Sequence, residues 1–68
     1  MPIVKIIELV GESPNGWEEA MKNIIKEAQK TLRGITRIGA KEFDVRMVDD
    51  KLEVFRVRAE VSFRLERD

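Results

Sequence analysis

One stretch near the end of the chain, residues 52–66, limits the possible folds more than any other feature. Its side chains alternate between apolar and polar. The apolar positions are Phe55, Val57, Ala59, Val61, Phe63 and Leu65, and the polar positions are Arg56, Arg58, Glu60, Ser62, Arg64 and Glu66. A period of two predicts an antiparallel strand with one face packed on a core.

The first half of the chain predicts a strand followed by a helix. Residues 3–10 are rich in β-branched side chains, which favours a strand, whereas residues 13–33 carry apolar side chains at helical spacing. We expect the Ser13 hydroxyl to cap this helix, with Asn15 and Glu18 as a competing capping pair.

A second strand is predicted over residues 35–48, after Gly34, which suits the left-handed end of a helix. Its apolar residues change parity along the strand. Ile38 and Ala40 share one parity, and Phe43, Val45 and Met47 share the other. Gly39 lies where the parity changes, which predicts a β-bulge or a close backbone approach. Asp49-Asp50 predicts a tight turn whose type the sequence leaves open.

These elements predict one α+β domain over residues 1–68, with the order β-α-β-β and a three-stranded antiparallel sheet wrapped around one helix. A helix over residues 13–33 is about 30 Å long, whereas a strand over residues 52–66 extends to nearly 50 Å, at about 3.3 Å per residue. The hairpin would therefore overhang the helix and expose apolar side chains. Because monomers avoid such surfaces, we expect a closed homo-oligomer.

The composition excludes several classes of function. The 68 residues include no cysteine and no histidine, which removes disulfides, zinc sites and imidazole-activated nucleophiles. The net charge of zero disfavours a nucleic-acid partner. The chain starts without a signal-peptide pattern and carries no apolar run that spans a membrane. We therefore expect a cytoplasmic protein that is not an enzyme, unless a catalytic site forms across subunits.

Two kinds of candidate binding residue emerge from the sequence. Arg37 interrupts the apolar positions near Gly39, and Arg56 lies on the polar parity of the last strand. Across symmetry-related copies, these arginines would bind a phosphate or stack on a flat ring; alternatively, both are solvated. The alternating Arg/Glu face is either solvated, salt-bridged between subunits or the lining of a polar cavity. Oxygen ligands for calcium are offered by Asp44, Asp49, Asp50 and Glu53, with solvated carboxylates as the alternative.

Three segments resemble the dodecin family. They are Glu8-Leu9-Val10-Gly11-x-Ser13, Lys30-Thr31-Leu32-Arg33 and Val61-Ser62-Phe63-Arg64-Leu65-Glu66, and the resemblance covers essentially the whole chain. It implies a βαββ fold and twelve copies in a hollow shell. It also implies flavins (FMN, riboflavin or FAD) stacked in pairs between tryptophans at subunit interfaces, where they are stored. Some members also bind coenzyme A.

Two positions depart from the flavin-binding members of that family. Arg37 stands where the resemblance implies the flavin-stacking tryptophan, and Arg56 stands where it implies the glutamine that grips the ring. Trp17 does not replace the missing tryptophan, because it lies at the start of the helix, on the apolar stripe, where we expect a core or interface role. Trp17, Arg56 and the Val-Ser-Phe ending make the chain more similar to the calcium-binding dodecins.

The sequence therefore leads to two functional hypotheses. In the first, a dodecameric shell sequesters a flavin or a related nucleotide at subunit interfaces, with Arg37, Arg56 and Arg64 as ligand-binding residues. In the second, the dodecamer binds calcium, through residues such as Asp49, Asp50 and Glu53, or is purely structural and holds no organic ligand.

Overall fold

The computed structural model describes residues 3–65 and confirms the predicted α+β fold. In chain order, the elements are β1 (Ile3–Ser13), α1 (Trp17–Thr31), β2 (Ile35–Val48) and β3 (Lys51–Leu65). The strands form one antiparallel sheet in the order β1-β3-β2, so β3 lies in the middle. Glu66, the predicted last residue of the third strand, lies outside the described residues.

The core forms where α1 packs on one face of the sheet. Its buried apolar residues are Ala20, Ile24 and Ala28 from α1 and Val57, Ala59 and Val61 from β3, which confirms the predicted inward parity of β3. Gly11 lets β1 pass close beneath the helix, because a Cβ there would lie 2.3 Å from the Ala20 carbonyl oxygen. Small residues on both elements therefore set the close spacing of helix and sheet.

The helix begins later than predicted, at Trp17, and the predicted Ser13 cap is wrong. Ser13 is instead the last residue of β1, paired with Phe55 and 1% exposed. Pairing with β3 supplies partners to the Ser13 backbone, and this tertiary contact outweighs the local capping preference. The residue that precedes the helix is Gly16, which makes no side-chain capping hydrogen bond. After the helix, Gly34 has a φ of 72°, as expected for a left-handed stop.

The register of the β2–β3 pair shifts at three places. The shifts lie between Ile35 and Arg37, between Ala40 and Glu42, and between Arg46 and Met47. Gly39 itself pairs in register with Glu60, and a Cβ there would meet nothing within 4 Å. The predicted irregularity is thus present, but its predicted place at Gly39 is wrong. The residues left unpaired at these shifts are Thr36 and Lys41 of β2 and Glu53 of β3. The two on β2 restore apolar side chains to the helix side of that strand.

The β2–β3 turn places two aspartates in the left-handed region. Asp49 has a φ of 52° and Asp50 a φ of 63°. Positive φ at both central residues is the signature of a type I′ hairpin turn, in which Asn-Gly is strongly preferred. The aspartate pair adopts this turn with more strain than glycine would, since its Cβ atoms crowd the backbone.

The turn end of the β2–β3 hairpin, residues 43–55, which we call the arm, reaches past the end of β1, whose last residue Ser13 pairs with Phe55. The molecule measures 53 × 18 × 14 Å, so the long strands stay extended and overhang the helix as predicted. Exposed apolar side chains on the arm include Phe43, Met47 and Leu52. Within residues 3–65, no helix has the length and apolar character needed to cross a membrane.

Candidate functional site

The three predicted ligand arginines lie on one face of the sheet, the face turned away from α1, which we call the open face. Arg37 pairs with Ser62, and Arg64 follows two residues later on the same side of β3. Arg56 lies six residues before Ser62, or about 20 Å along the strand. One chain therefore brings Arg37 and Arg64 to one end of the open face and leaves Arg56 near the other.

A shallow groove of about 240 Å³ lies beside Arg37 on the open face. Its lining residues are Ile6, Arg37, Gly39, Lys41, Glu60 and Ser62. Arg37 and Lys41 stand at its two ends on β2, about 13 Å apart along the strand. Gly39 lies between them, where it has no side chain to fill the floor. The groove thus offers a flat surface between two cationic side chains, with the apolar Ile6 alongside.

Two bulges of β2 lie beside this groove, and Lys41 of the second bulge lines it. Thr36, the unpaired residue before Arg37, donates its hydroxyl to the Ser62 carbonyl oxygen at 3.3 Å. Lys41, the unpaired residue of the next bulge, lies 3.8 Å from the Glu60 carboxylate, with both side chains about half exposed. An exposed pair of this kind contributes little to stability, so Lys41 is available to a ligand at low cost.

The size of the groove limits how it can hold a ligand. Pockets that enclose a small molecule commonly measure about 300–1,000 Å³, and this groove is smaller and open. A planar ligand on Gly39 would be covered on one side only. Its other side would need a surface from a second copy of the chain.

Arg56, in contrast, forms salt bridges with carboxylates of its own chain. Its Nε atom lies 3.3 Å from Glu12 and 4.0 Å from Asp44. Arg46 lies 3.1 Å from Glu12 and 2.8 Å from Glu53. These five residues, which we call the arm-root network, join all three strands where the arm begins. Within one chain, Arg56 serves this network, and its predicted ligand role stays a prediction that requires a second copy.

Sequence reasoning missed this network because its pairs depend on strand register. Glu12 and Asp44 both stand opposite Arg56, and Glu42 stands opposite Arg58, 3.5 Å from its guanidinium. The alternating charges of the open face are therefore matched largely within one chain.

The groove, in contrast, had a signal in the sequence that could have located it. Arg37, Gly39 and Lys41 follow one another at i, i+2 spacing, which places all three on one face of a regular strand.

The predicted calcium residues lie on the arm. Asp49 and Asp50 form its exposed tip, and the Glu53 carboxylate is paired with Arg46. Across residues 3–65, no three acidic side chains converge in a way that would hold a metal ion. A calcium site at the tip remains a prediction, and it would need oxygen atoms from other copies.

One carboxylate near the start of the helix is held in its charged form. The Ser13 hydroxyl donates to Glu19, and the Asn15 side-chain amide donates to the same carboxylate at 2.8 Å. These hydrogen bonds, that of Ser13 first, lower the pKa of Glu19 below its ordinary value. They form a structural link between β1 and α1, on the opposite side of the molecule from the groove.

Trp17 joins the helix to the arm. Its ring meets Phe55 and Phe43 edge to face, with centroids 4.9 and 6.3 Å away, and its Nε1 donates to the Asp44 carbonyl oxygen at 3.0 Å. The side chain is 41% exposed, so Trp17 is not a core residue of the single chain. Its interface role stays a prediction.

Comparison with known proteins identifies the relatives of this chain. The family model described as Dodecin matches residues 3–66. A dodecin from Thermus thermophilus is 36% identical over 64 residues, which cover 94% of this chain and 93% of the relative. A calcium dodecin from Mycobacterium tuberculosis is 28% identical over 65 residues, covering 96% and 92%. A solved Thermus thermophilus structure superposes with a TM-score of 0.88 at 34% identity, over the full length of both chains.

Proposed function

The chain belongs to the dodecin family, and on this premise we propose that it forms a homododecameric shell that sequesters a flavin or a related nucleotide. Members of the family form homo-oligomers and are generally non-enzymatic binders of small molecules. The ligand would lie in the groove, between copies of the chain. FMN, riboflavin, FAD and coenzyme A are the candidate ligands.

The observation that carries this proposal is the glycine floor between Arg37 and Lys41. A heteroaromatic ring would lie flat on the Gly39 backbone, and the Arg37 guanidinium would stack on the ring or bind a phosphate. Arg64, at the same end of the open face, would add a second guanidinium for an anionic tail. We propose that the chain itself does not catalyse a reaction, since it has no histidine or cysteine and, within residues 3–65, no three acidic side chains cluster.

Filling the floor of the groove tests this proposal. Gly39→Val places a branched side chain where a Cβ meets nothing within 4 Å, so the fold should tolerate it while the ring loses its surface. We expect wild-type protein to quench FMN fluorescence and Gly39→Val to bind FMN at least tenfold more weakly. Circular dichroism would confirm that the variant folds.

The matched control for this experiment is Arg33→Ala. This variant removes a guanidinium from outside the groove, where, among residues 3–65, the Arg33 side chain donates to the neighbouring Leu32 carbonyl oxygen. We expect it to bind FMN as the wild type does. Wild-type protein that leaves the fluorescence of FMN unchanged would reject the flavin proposal, and equal binding by wild type and Gly39→Val would reject the groove.

Calcium is the second candidate, favoured by the relative that is named a calcium dodecin. In this alternative, Asp49, Asp50 and Glu53 would contribute oxygen ligands at arm tips that meet in the assembly. The measurement is thermal unfolding with a chelator and then with added calcium. A melting temperature that falls with chelator and recovers with calcium would support this candidate, and an unchanged value would leave the purely structural shell as the alternative.

A further inference from the structure

The groove contains an ion pair to which the proposed ring and phosphate contacts give no role. Lys41 and Glu60 both line the groove. The Lys41 Nζ atom lies 3.8 Å from the Glu60 carboxylate, and the two side chains are 54% and 41% exposed. Because this distance exceeds that of a hydrogen bond, the pair consumes neither the donors of the ammonium nor the acceptor sites of the carboxylate. Both groups can therefore bind a ligand while they remain paired.

The ion pair stands beside the glycine floor of the groove. Gly39 pairs with Glu60 across the β2–β3 ladder, which places the carboxylate next to the floor. Lys41 follows Gly39 by two residues, on the side away from Arg37. A ring that lies flat on Gly39, with its anionic tail toward Arg37, would thus present one edge to Lys41 and Glu60.

A carboxylate beside an ammonium is complementary to a ring edge on which an N–H donor neighbours a carbonyl acceptor. The carboxylate only accepts hydrogen bonds, and the ammonium only donates them. A flavin carries such an edge, because its ring N3–H lies between two carbonyl groups. Hydrogen bonds to ionised groups are roughly twice as strong as those between neutral groups. Two of them would fix the orientation of a ring in a groove that is otherwise open.

We infer that Lys41 and Glu60 recognise this edge, with Glu60 accepting the ring N–H and Lys41 donating to the adjacent carbonyl oxygen. This assignment rests on the proposed function and names the class of ring that the groove selects, one with an imide or cyclic amide edge. The resemblance to flavin-binding dodecins implies a glutamine for this task, whose amide offers both a donor and an acceptor. Arg56 stands at that position, has donors only, and is salt-bridged to Glu12 and Asp44. The ion pair supplies the acceptor that Arg56 lacks.

Methylation of FMN at N3 tests the assignment, because it removes the N–H that Glu60 would accept. A site that hydrogen-bonds a ligand group rejects the analogue that lacks it, so wild-type protein should bind FMN at least about tenfold more tightly than N3-methyl-FMN. Glu60→Met keeps the length of the side chain, removes the acceptor and is flexible enough to admit the methyl group. In this variant, the two ligands should bind within about twofold of each other. Fluorescence titration measures both ratios.

Glu8→Met is the matched control for Glu60→Met. Glu8 stands opposite Glu60 on β1 and is not among the described residues that line the groove. Its replacement removes the same charge, which changes the attraction of the protein for both ligands alike, so the preference for FMN should remain. An exposed ion pair contributes little to stability, and circular dichroism should show that all variants fold.

The donor half of the ion pair is tested at Lys41. Lys41→Met should weaken the binding of FMN at least about fivefold, because a charge-assisted hydrogen bond is lost. Lys41→Gln keeps an N–H donor without the charge and should recover part of the affinity. Equal affinities of these two variants for FMN would overturn the role of Lys41 as a hydrogen-bond donor to the ring.

Two results would overturn the assignment while the flavin-binding shell stands. Wild-type protein that binds FMN and N3-methyl-FMN equally would show that the groove does not recognise the ring N–H. A Glu60→Met variant that keeps the preference for FMN would show that the acceptor is another group. Wild-type protein that binds neither ligand would instead reject the proposed function, and this assignment with it.

Discussion

The two ends of the open face use arginine in opposite ways. At the arm root, Arg46 and Arg56 are matched with three carboxylates of their own chain. At the groove end, among the described residues, Arg37 has no salt bridge and is exposed. The same residue type thus joins strands in one place and, in the other, is left without a salt bridge in the described residues, where we propose that it binds the ligand. Register with acidic neighbours decides which role each arginine takes.

The largest expected effects come from replacing one arginine at each end of the open face and comparing the two variants. Arg37→Ala should lower the affinity for FMN at least tenfold, because a stacking or phosphate-binding guanidinium is lost, and should leave the melting temperature unchanged. Arg56→Ala should lower the melting temperature, because it leaves Glu12 and Asp44 without their shared cation. FMN titration and thermal unfolding of both variants measure these two effects. A loss of affinity confined to Arg56→Ala would reverse our assignment of the two ends.

Removal of the Glu12 carboxylate, which lies at the centre of the arm-root network, should lower stability without affecting ligand binding at the groove. Glu12→Gln removes the charge that bridges Arg46 and Arg56, and among the described residues the buried Arg56 Nε has no aligned hydrogen bond to compensate. We expect the free energy of unfolding to fall by about 1 kcal/mol, since the pair is only partly screened by solvent. Denaturant unfolding measures it. The control is Glu42→Gln, whose pair with Arg58 is more exposed; an equal loss there would mean that the network has no special weight.

The tip of the arm offers a smaller gain in stability. Replacing Asp49-Asp50 by Asn-Gly supplies the residues that a type I′ turn prefers at positive φ. We expect an increase of about 0.5–1 kcal/mol in the free energy of unfolding. Asp50→Ala is the control, because it removes a charge but keeps the Cβ, and it should not stabilise. Should both variants gain equally, charge repulsion rather than backbone strain would be the cause.

The smallest expected effect depends on pH. The pKa of Glu19 is lowered in the folded protein, chiefly by the Ser13 hydroxyl, so its contribution to stability is present above the unfolded pKa and is lost as pH falls through the folded pKa. Glu19→Gln should therefore melt below wild type near neutral pH and approach it in acid. Glu18→Gln removes a like charge from the same helical turn without contacting Ser13. A difference that grows in acid would contradict the assignment.

Much of the fold follows from the sequence because burial has a clear period. The alternation around Val57, Ala59 and Val61 predicts both the strand and its inward side, since a one-residue slip would expose all three. The same reasoning fails at Thr36 and Lys41. Both are polar and fit either a bulge or a regular outward position, so the hydrophobic pattern cannot locate the extra residue. The bulge was predicted at Gly39 because glycine is the residue usually associated with such irregularities.

The candidate site was only partly predictable for a related reason. Arg37 stands out in the sequence because it interrupts apolar positions. The role of Arg56, however, depends on Glu12, which is 44 positions away, and no local pattern links the two. Ser13 shows the same limit of sequence-based prediction. Its side chain suits a helix cap, but the residue belongs to a strand because it pairs with Phe55, far along the chain. Long-range register is what the sequence pattern does not contain.

The most direct test of the binding account is native mass spectrometry of wild type and Arg37→Ala, each mixed with FMN. The account predicts an assembly of twelve subunits for both proteins, with added mass that matches FMN on the wild type and little or none on the variant. An assembly that carries equal FMN with and without Arg37 would contradict the groove assignment, and a wild-type assembly without FMN would contradict the flavin-binding shell.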